Sequence, residues 1–292
     1  MLLDTFRFIY NHPYNADNKL RGILRFVKWQ INCKLNPYPI VYPFTGHTKM
    51  LVWKGLAGAT GNIYCGLLEY DDMCFLLHFL RPEDVFFDIG ANVGAYTLLA
   101  SGEIGAKTIS VEPIPSTFGF LSSNISLNKL EDKVDLLNVG LGNQQGTLKF
   151  TKSFDTINHV ATGKETGAET IEVQVMKMDD VSSEIPALVK IDVEGFETEV
   201  LNGASDILSN PGLKAIIIEL NGSGGRYGFD EEKIHQSLLN FGFKTYKYIP
   251  AERKLHPIPK HGNHNTIYIR DEGFVENRLV NARKVKVGRK EI

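Results

Sequence analysis

Residues 84–94 read DVFFDIGANVG, and few architectures accept that run. A short, continuously apolar segment ends in an acid, Asp88, and passes through a small-residue turn into a stretch of helical character. Gly90 and Gly94 allow close approach of backbone and ligand, and Asn92 tolerates the left-handed region that most side chains avoid. A buried strand, a tight turn and a helix in that order predict the first unit of a sheet wound by crossover helices. Asp88, at the predicted strand tip, is placed to accept hydrogen bonds from an ammonium or to fix the loop.

The rest of the chain repeats this texture. β-branched runs predict strands over 85–89, 108–112, 134–139, 188–193 and 215–220, apolar enough to be covered on both faces. Helices are expected over 94–103, 116–130, 197–208 and 230–241, several opened by Ser, Asp or Glu. Between the third and fourth strands, 147–150 and 170–176 alternate like an antiparallel insertion. Segments 243–249 and 265–270 predict a closing hairpin, which brings the sheet to seven strands.

Ahead of this lies an irregular region, 1–80, read as an N-terminal cap: an amphipathic helix over 18–35, a run of prolines, then a glycine-rich stretch. The helix's apolar face is read as core or partner contact, with a membrane surface as the alternative. After the main domain, 81–275, the basic residues of 276–292 predict a solvated tail that frays.

Composition narrows the partners. The 292 residues carry 32 basic and 34 acidic side chains, a net charge of -2, so no overall field recruits nucleic acid or an anionic surface. A small-molecule or glycan acceptor fits better. Cys33, Cys65 and Cys74 form no close pair, which predicts a reducing cytoplasmic setting and neither disulfides nor a zinc knuckle. The apolar start, broken by Asp4 and Arg7, reads neither as a signal peptide nor as a transmembrane segment.

The second predicted strand ends in TISVEPIP and puts Glu112 at its tip, 24 residues after Asp88. That is close to the interval at which an acid reaches ribose hydroxyls in Rossmann-type sites. A dinucleotide site would also need G-x-G-x-x-G, to seat a pyrophosphate on a helix N-terminus. Here the middle glycine is missing and Asp88 precedes the turn. An acidic approach repels a pyrophosphate and suits a ligand carrying a sulfonium and an amino group.

From about Gly61 to Asn221 the chain resembles the FkbM family of methyltransferases. The likeness rests on DIGANVG, VEPIPSTFGFLSSNISLN and VGLGNQQGTLKF, and above all on LVKIDVEGFETEVLNGA followed by IIIEL. It implies the class I methyltransferase fold, an α/β Rossmann-like and mostly parallel seven-stranded sheet. It also implies S-adenosylmethionine as donor and O-methylation of a sugar, polysaccharide or secondary-metabolite hydroxyl. Carried over position by position, Asp88, Gly90 and Gly94, with Asn92 between them, would hold the methionine end, Glu112 the ribose, and Leu141, Gly142 and Asn143 the adenine. The family commonly has an acid after the third strand, where this chain offers Asn143.

In LVKIDVEGFE, Lys190 and Asp192 share one face of an apolar strand, and Asp192 and Glu194 stand at its carboxyl end. Deprotonating an acceptor hydroxyl calls for a carboxylate or His within hydrogen-bond reach. Asp192 is the first candidate, with Glu194 and His159 next; a structural Lys190–Asp192 ion pair is the competing reading. Glu219 either lines the acceptor side or bonds a loop, and Glu69 either closes over the cofactor or is a surface charge. NGSGGRYGF, 221–229, reads as a lid or a plain loop. His256, His261 and His264 read as a polar rim, not a metal site. A binding module without catalysis and an NAD-dependent oxidoreductase stay open as alternatives.

Overall fold

The structure, a computed structural model, describes residues 2–152, 158–163, 167 and 169–292. Part of the DTINHVATG loop, 155–157, lies outside the described residues.

In chain order the elements are α1 (Leu2–Asn11), α2 (Lys19–Leu35), β1 (Ile40–Pro43), β2 (Lys49–Val52), α3 (Ala57–Cys65), α4 (Tyr70–Phe79), β3 (Val85–Ile89) and α5 (Ala95–Thr97), which continues as a π-helical segment, Leu98–Ile104. Then come β4 (Lys107–Val111), α6 (Pro115–Asn128), β5 (Val134–Leu137), β6 (Gly140–Leu141), β7 (Gly146–Thr151), β8 (Thr170–Met176) and β9 (Leu188–Ile191). The chain finishes with α7 (Glu197–Asn202), α8 (Ser205–Ser209), β10 (Ala215–Glu219), α9 (Glu231–Asn240), β11 (Lys244–Ile249), β12 (Lys254–Pro257), β13 (Asn265–Ile269), α10 (Glu272–Val280) and the short pair β14 (Lys286–Val287) and β15 (Lys290–Glu291).

The main sheet runs β12-β11-β13-β10-β9-β3-β4-β5. Strands β5, β4, β3, β9 and β10 are parallel, and β13 is antiparallel to both β10 and β11. This is the expected class I methyltransferase arrangement with its closing hairpin. An eighth strand extends it: β12 pairs antiparallel with β11. From β3 the chain winds outward through β4 and β5, then returns to place β9 on the other side of β3. The crevice at that reversal is where an open α/β sheet binds ligands.

Both faces of the sheet are covered, so neighbouring residues on one strand enter different cores. Phe86 and Leu188 join one cluster, Phe87 and Val189 the other. That is why the strands read as unbroken apolar runs. The first cluster also takes Trp29, Phe44, Met50, Val52 and Ile63 from the first 80 residues. Those residues therefore form one face of the sheet's core and do not pack apart from it. The glycine-rich stretch within them folds as α3.

The C-terminal segment departs from the expected frayed tail. Val275 and Leu279 of α10, and Val285 and Val287 beyond it, are buried in that same cluster. Its charges are also engaged, Arg278 with Asp84 and Arg283 with the Glu103 carbonyl. Apolar residues spaced for packing outweigh the basic composition. The expected 197–208 helix is likewise broken into α7 and α8 at Gly203, and the insertion forms a separate small sheet, β6-β8-β7, beside the crevice.

Candidate active site

The ends of β3, β4 and β9 open onto a cavity of about 270 Å³, roofed by Gly58 and Glu69 from the N-terminal region and flanked by Phe150 of β7. Among the described residues its walls carry six carboxylates, Glu69, Asp88, Glu112, Asp192, Glu194 and Glu219, and one ammonium, Lys190.

Asp88 lies opposite Lys190 on β9 and Ser110 on β4. Its carboxylate accepts a 2.6 Å hydrogen bond from Thr97 Oγ1, itself 2.7 Å from Ser110 Oγ. Burial pushes the carboxyl up, while the Lys190 charge pulls it back down. Glu112 is held more firmly. Asn92 N donates to Oε2 at 3.0 Å and Ile114 N to Oε1 at 2.9 Å. Burial nevertheless drives it up to about 7, against those two hydrogen bonds. Asn92 reaches the first by adopting φ 52°, as its residue type allows.

The turn glycines serve the protein more than a ligand. Gly90 has φ +79°, and a Cβ there would sit 1.8 Å from the Asp192 carbonyl oxygen. The position is therefore glycine because β9 crosses against it. Gly94, at φ +90°, would press a Cβ against Leu121 at 2.6 Å, and it does not line the cavity.

Lys190 Nζ meets Asp192 Oδ2 at 2.8 Å, with side chains 4% and 28% exposed, and sits 4.8 Å from the centre of the Tyr96 ring. Burial alone would lower its affinity for a proton, but Asp192, Glu69 and Asp88 together raise it, so the ammonium stays charged. Glu194, at φ 56°, is pushed up to about 7 by burial and then by Asp192 and Glu197. Burial, then Asp192 and Glu194, push Glu219 upward as well. Carboxylate oxygens of Asp192, Glu194 and Glu219 lie within 4.8 Å of one another. Such a trio can share a proton or hold a divalent cation.

Not every candidate converges on this cavity. Gly140 and Leu141 line it, whereas Gly142 and Asn143 do not, and Asn158 lines it where His159 does not. His159 is buried beside Thr151, whose Oγ1 accepts from its backbone N–H at 3.0 Å. His256, His261 and His264 stand outside the lining too. His256 approaches Glu252 at 3.6 Å and His261 rests on His235, ring centres 5.7 Å apart. The 221–229 stretch is tied down at two points: Arg226 Nη1 donates to the Glu194 carbonyl at 2.9 Å and Tyr227 Oη to the Val160 carbonyl at 2.8 Å.

Three participants escaped the sequence reading. Tyr96 lines the cavity near Glu69, and its buried hydroxyl has no hydrogen-bond partner of good geometry among the described residues. Its place in the first turn after the glycines was the available signal. Asn265, opposite Glu219 on β13, donates to Glu69 at 2.7 Å and to Asp72 at 3.2 Å. Glu197 caps the β9 turn by accepting from Val193 N and Gly195 N at 3.2 and 3.1 Å. These are long-range or turn-specific contacts, and no local pattern announces them.

Buried acids of this kind make stability depend on pH. Glu112, Glu194 and Glu197 are each raised to about 7, whereas an unfolded Glu titrates near ~4.3. Their folded pKa values are raised, so their contribution is complete below the unfolded value and is lost as pH rises through about 7. The melting temperature of the ligand-free protein should fall from about pH 4.5 to pH 7.5, with a shallower slope in Glu197→Gln. A wild-type melting temperature that climbs through that window, with a Glu197→Gln slope no different, would contradict these assignments.

The sheet order and its crevice define a class I methyltransferase fold. Residues 88–245 match the Methyltransferase FkbM domain, just over half the chain, and the chain belongs to that family. It is 30% identical over 157 residues to the hexuronic acid methyltransferase AglP of Haloferax volcanii, covering 52% of this chain and 62% of that protein. It is 29% identical over 197 residues to the 31-O-demethyl-FK506 methyltransferase FkbM of Streptomyces tacrolimicus, covering 54% and 74%. Among solved structures, the methyltransferase FkbM of Methylobacillus flagellatus KT aligns with a TM-score of 0.46 at 16% identity, covering 88% of this chain and 60% of that one. The alignments thus span under two thirds of AglP and of the Methylobacillus protein.

Proposed function

We propose that the protein transfers a methyl group from S-adenosylmethionine to a hydroxyl of a sugar or secondary metabolite. The observation that carries this reading is the acid-lined cavity at the tips of β3, β4 and β9, with Glu112 held at its wall. Carboxylates around one crevice complement a sulfonium and an ammonium, and they oppose a pyrophosphate. The unpartnered Tyr96 hydroxyl adds a buried polar group that a ligand could satisfy. The family is one of methyltransferases, and the two relatives' names supply the acceptor classes.

Within this reading Glu112 receives the ribose hydroxyls, Asp88 and Glu69 face the cationic end, and Leu141 with Ile114 forms an apolar wall for the adenine. When bound, S-adenosylmethionine supplies an electrophilic methyl group. The protein's part is to align the acceptor oxygen and accept its proton. Asp192 is the proton acceptor, oriented by Lys190, and Glu194 and Glu219 lie near enough to share the proton. Phe150 and Phe196 line the same cavity and offer aromatic surface to the acceptor.

Glu112→Ala tests the donor side. Losing charge-assisted hydrogen bonds costs about 1.5 to 3 kcal/mol, so S-adenosylhomocysteine should bind roughly tenfold to a hundredfold more weakly in a titration. The variant should still melt cooperatively. Unchanged affinity in a destabilised protein would make Glu112 a brace for the turn at Asn92 and Ile114, and the ribose assignment would fail.

A further inference from the structure

Helix α2 is apolar on two opposite sides. One side, with Gly22, Phe26 and Trp29, is buried, and Phe26 packs with Ile9 and Cys65. The other carries Leu20, Leu24, Val27, Ile31 and Leu35, which are 72%, 55%, 39%, 52% and 79% exposed. Their spacing of four, three, four and four residues places them in an arc of roughly 80° on a helix that turns 100° per residue. A stripe of five large aliphatics left exposed by the described residues is more than scattered surface apolarity explains. Past the end of α2 it is continued by Tyr38, 73% exposed, and Trp53, 41% exposed. The Trp53 indole N–H donates to the Pro37 carbonyl at 3.0 Å.

The charge around the stripe has one sign. Between Lys19 and Leu35 the sequence KLRGILRFVKWQINCKL holds five basic residues and no acid. Beside it lies a second cavity, of about 780 Å³, separate from the active site. Arg21, Arg25 and Lys28 of α2 line it together with Lys286, Arg289 and Lys290 of the C-terminal segment. The one acid in its lining, Asp17, is paired to Lys290 at 2.5 Å. A chain with net charge -2 has therefore gathered cations at one flank of this exposed apolar face.

We propose that α2 lies on the surface of an anionic phospholipid bilayer, its aliphatic stripe in the acyl boundary and the adjoining basic cavity against the headgroup phosphates. The physics is that of an interfacial helix: apolar area removed from water sets the depth, and cations beside it select anionic lipid. No helix among the described residues is long and apolar enough to cross a membrane; the contact proposed is with the bilayer surface. α2 packs on α3, and Gly58 of α3 lines the active-site cavity. The docked surface and the catalytic roof are thus neighbours.

The test is co-sedimentation of the whole protein with vesicles of phosphatidylcholine alone or with phosphatidylglycerol added. Wild type should partition into the phosphatidylglycerol vesicles and be released by about 0.5 M salt, where screening is nearly complete. Leu24→Glu/Ile31→Glu alters only exposed positions, so it should lower partition at least tenfold at an unchanged melting temperature. Arg21→Glu/Lys28→Glu should do the same, since each cation near an anionic surface is worth about fivefold. Absence of binding to either vesicle, or equal binding by wild type and both variants, would overturn the proposal. So would a solution dimer that Leu24→Glu/Ile31→Glu dissociates and that ignores vesicles, since the stripe would then belong to a second copy.

Discussion

Asp192→Asn should lower the methyl-transfer rate by about a hundredfold to ten-thousandfold, the usual contribution of general-base assistance. The amide preserves shape but cannot take the acceptor's proton. It also removes the anion from Lys190 Nζ, 2.8 Å away in a side chain only 4% exposed. Glu69 and Asp88 still act on that ammonium, so the stability loss should be partial, about 1 to 3 kcal/mol. Rates are therefore best compared well below the melting temperature, with S-adenosylhomocysteine affinity measured alongside. A rate loss at nearly constant affinity identifies the base. A loss confined to affinity would make Asp192 a donor-positioning residue. An undiminished rate would move the role to Glu194 or Glu219, whose carboxylates face the same point.

Gly90→Ala should be the most damaging single methyl group in the protein. At φ +79° an alanine is strained, and its Cβ would sit 1.8 Å from the Asp192 carbonyl oxygen. Backbone cannot swing aside as a flexible side chain can. The tips of β3 and β9 would have to separate, breaking the bond from Asp192 N to the Ile89 carbonyl. A loss of about 4 kcal/mol or more in denaturant unfolding is expected, in the range reserved for specific steric mechanisms. Cofactor affinity should fall with it, because the same turn positions Asn92 and Glu112. An unfolding free energy within about 0.5 kcal/mol of wild type, an ordinary surface effect, would refute the close crossing.

The sheet was legible because its strands are buried on both sides and so spell themselves as apolar runs. β12 was not, since KLHP is short, ends in Pro257 and buries only Leu255. α3 was hidden by its glycines, and the C-terminal segment by its basic residues, which conceal Val285 and Val287. Among site residues, those at strand tips could be read in advance: Asp88, Glu112, Lys190 and Asp192 line one cavity. His159 was placed near it by loop position, and Gly142 and Asn143 by the family resemblance; neither ground fixes which residue of a loop faces inward, and none of the three lines the cavity. Asn265 depends on a pairing across the sheet, opposite Glu219, that no local spacing encodes, whereas Tyr96 stood in the first turn after the glycines and was the one local signal left unread.

Titrating S-adenosylhomocysteine into the purified protein, with NAD in parallel, tells an S-adenosylmethionine crevice from a dinucleotide one. Binding to the folded crevice alone stabilises by mass action, about 2.7 kcal/mol at a hundred times the dissociation constant. For a chain of this size that is a rise of roughly 5 to 10 °C in melting temperature. That rise, with measurable binding heat, is expected for S-adenosylhomocysteine and not for NAD. No heat and no shift at about 1 mM S-adenosylhomocysteine, where even a weak ligand begins to saturate, would contradict it, as would stabilisation by NAD alone.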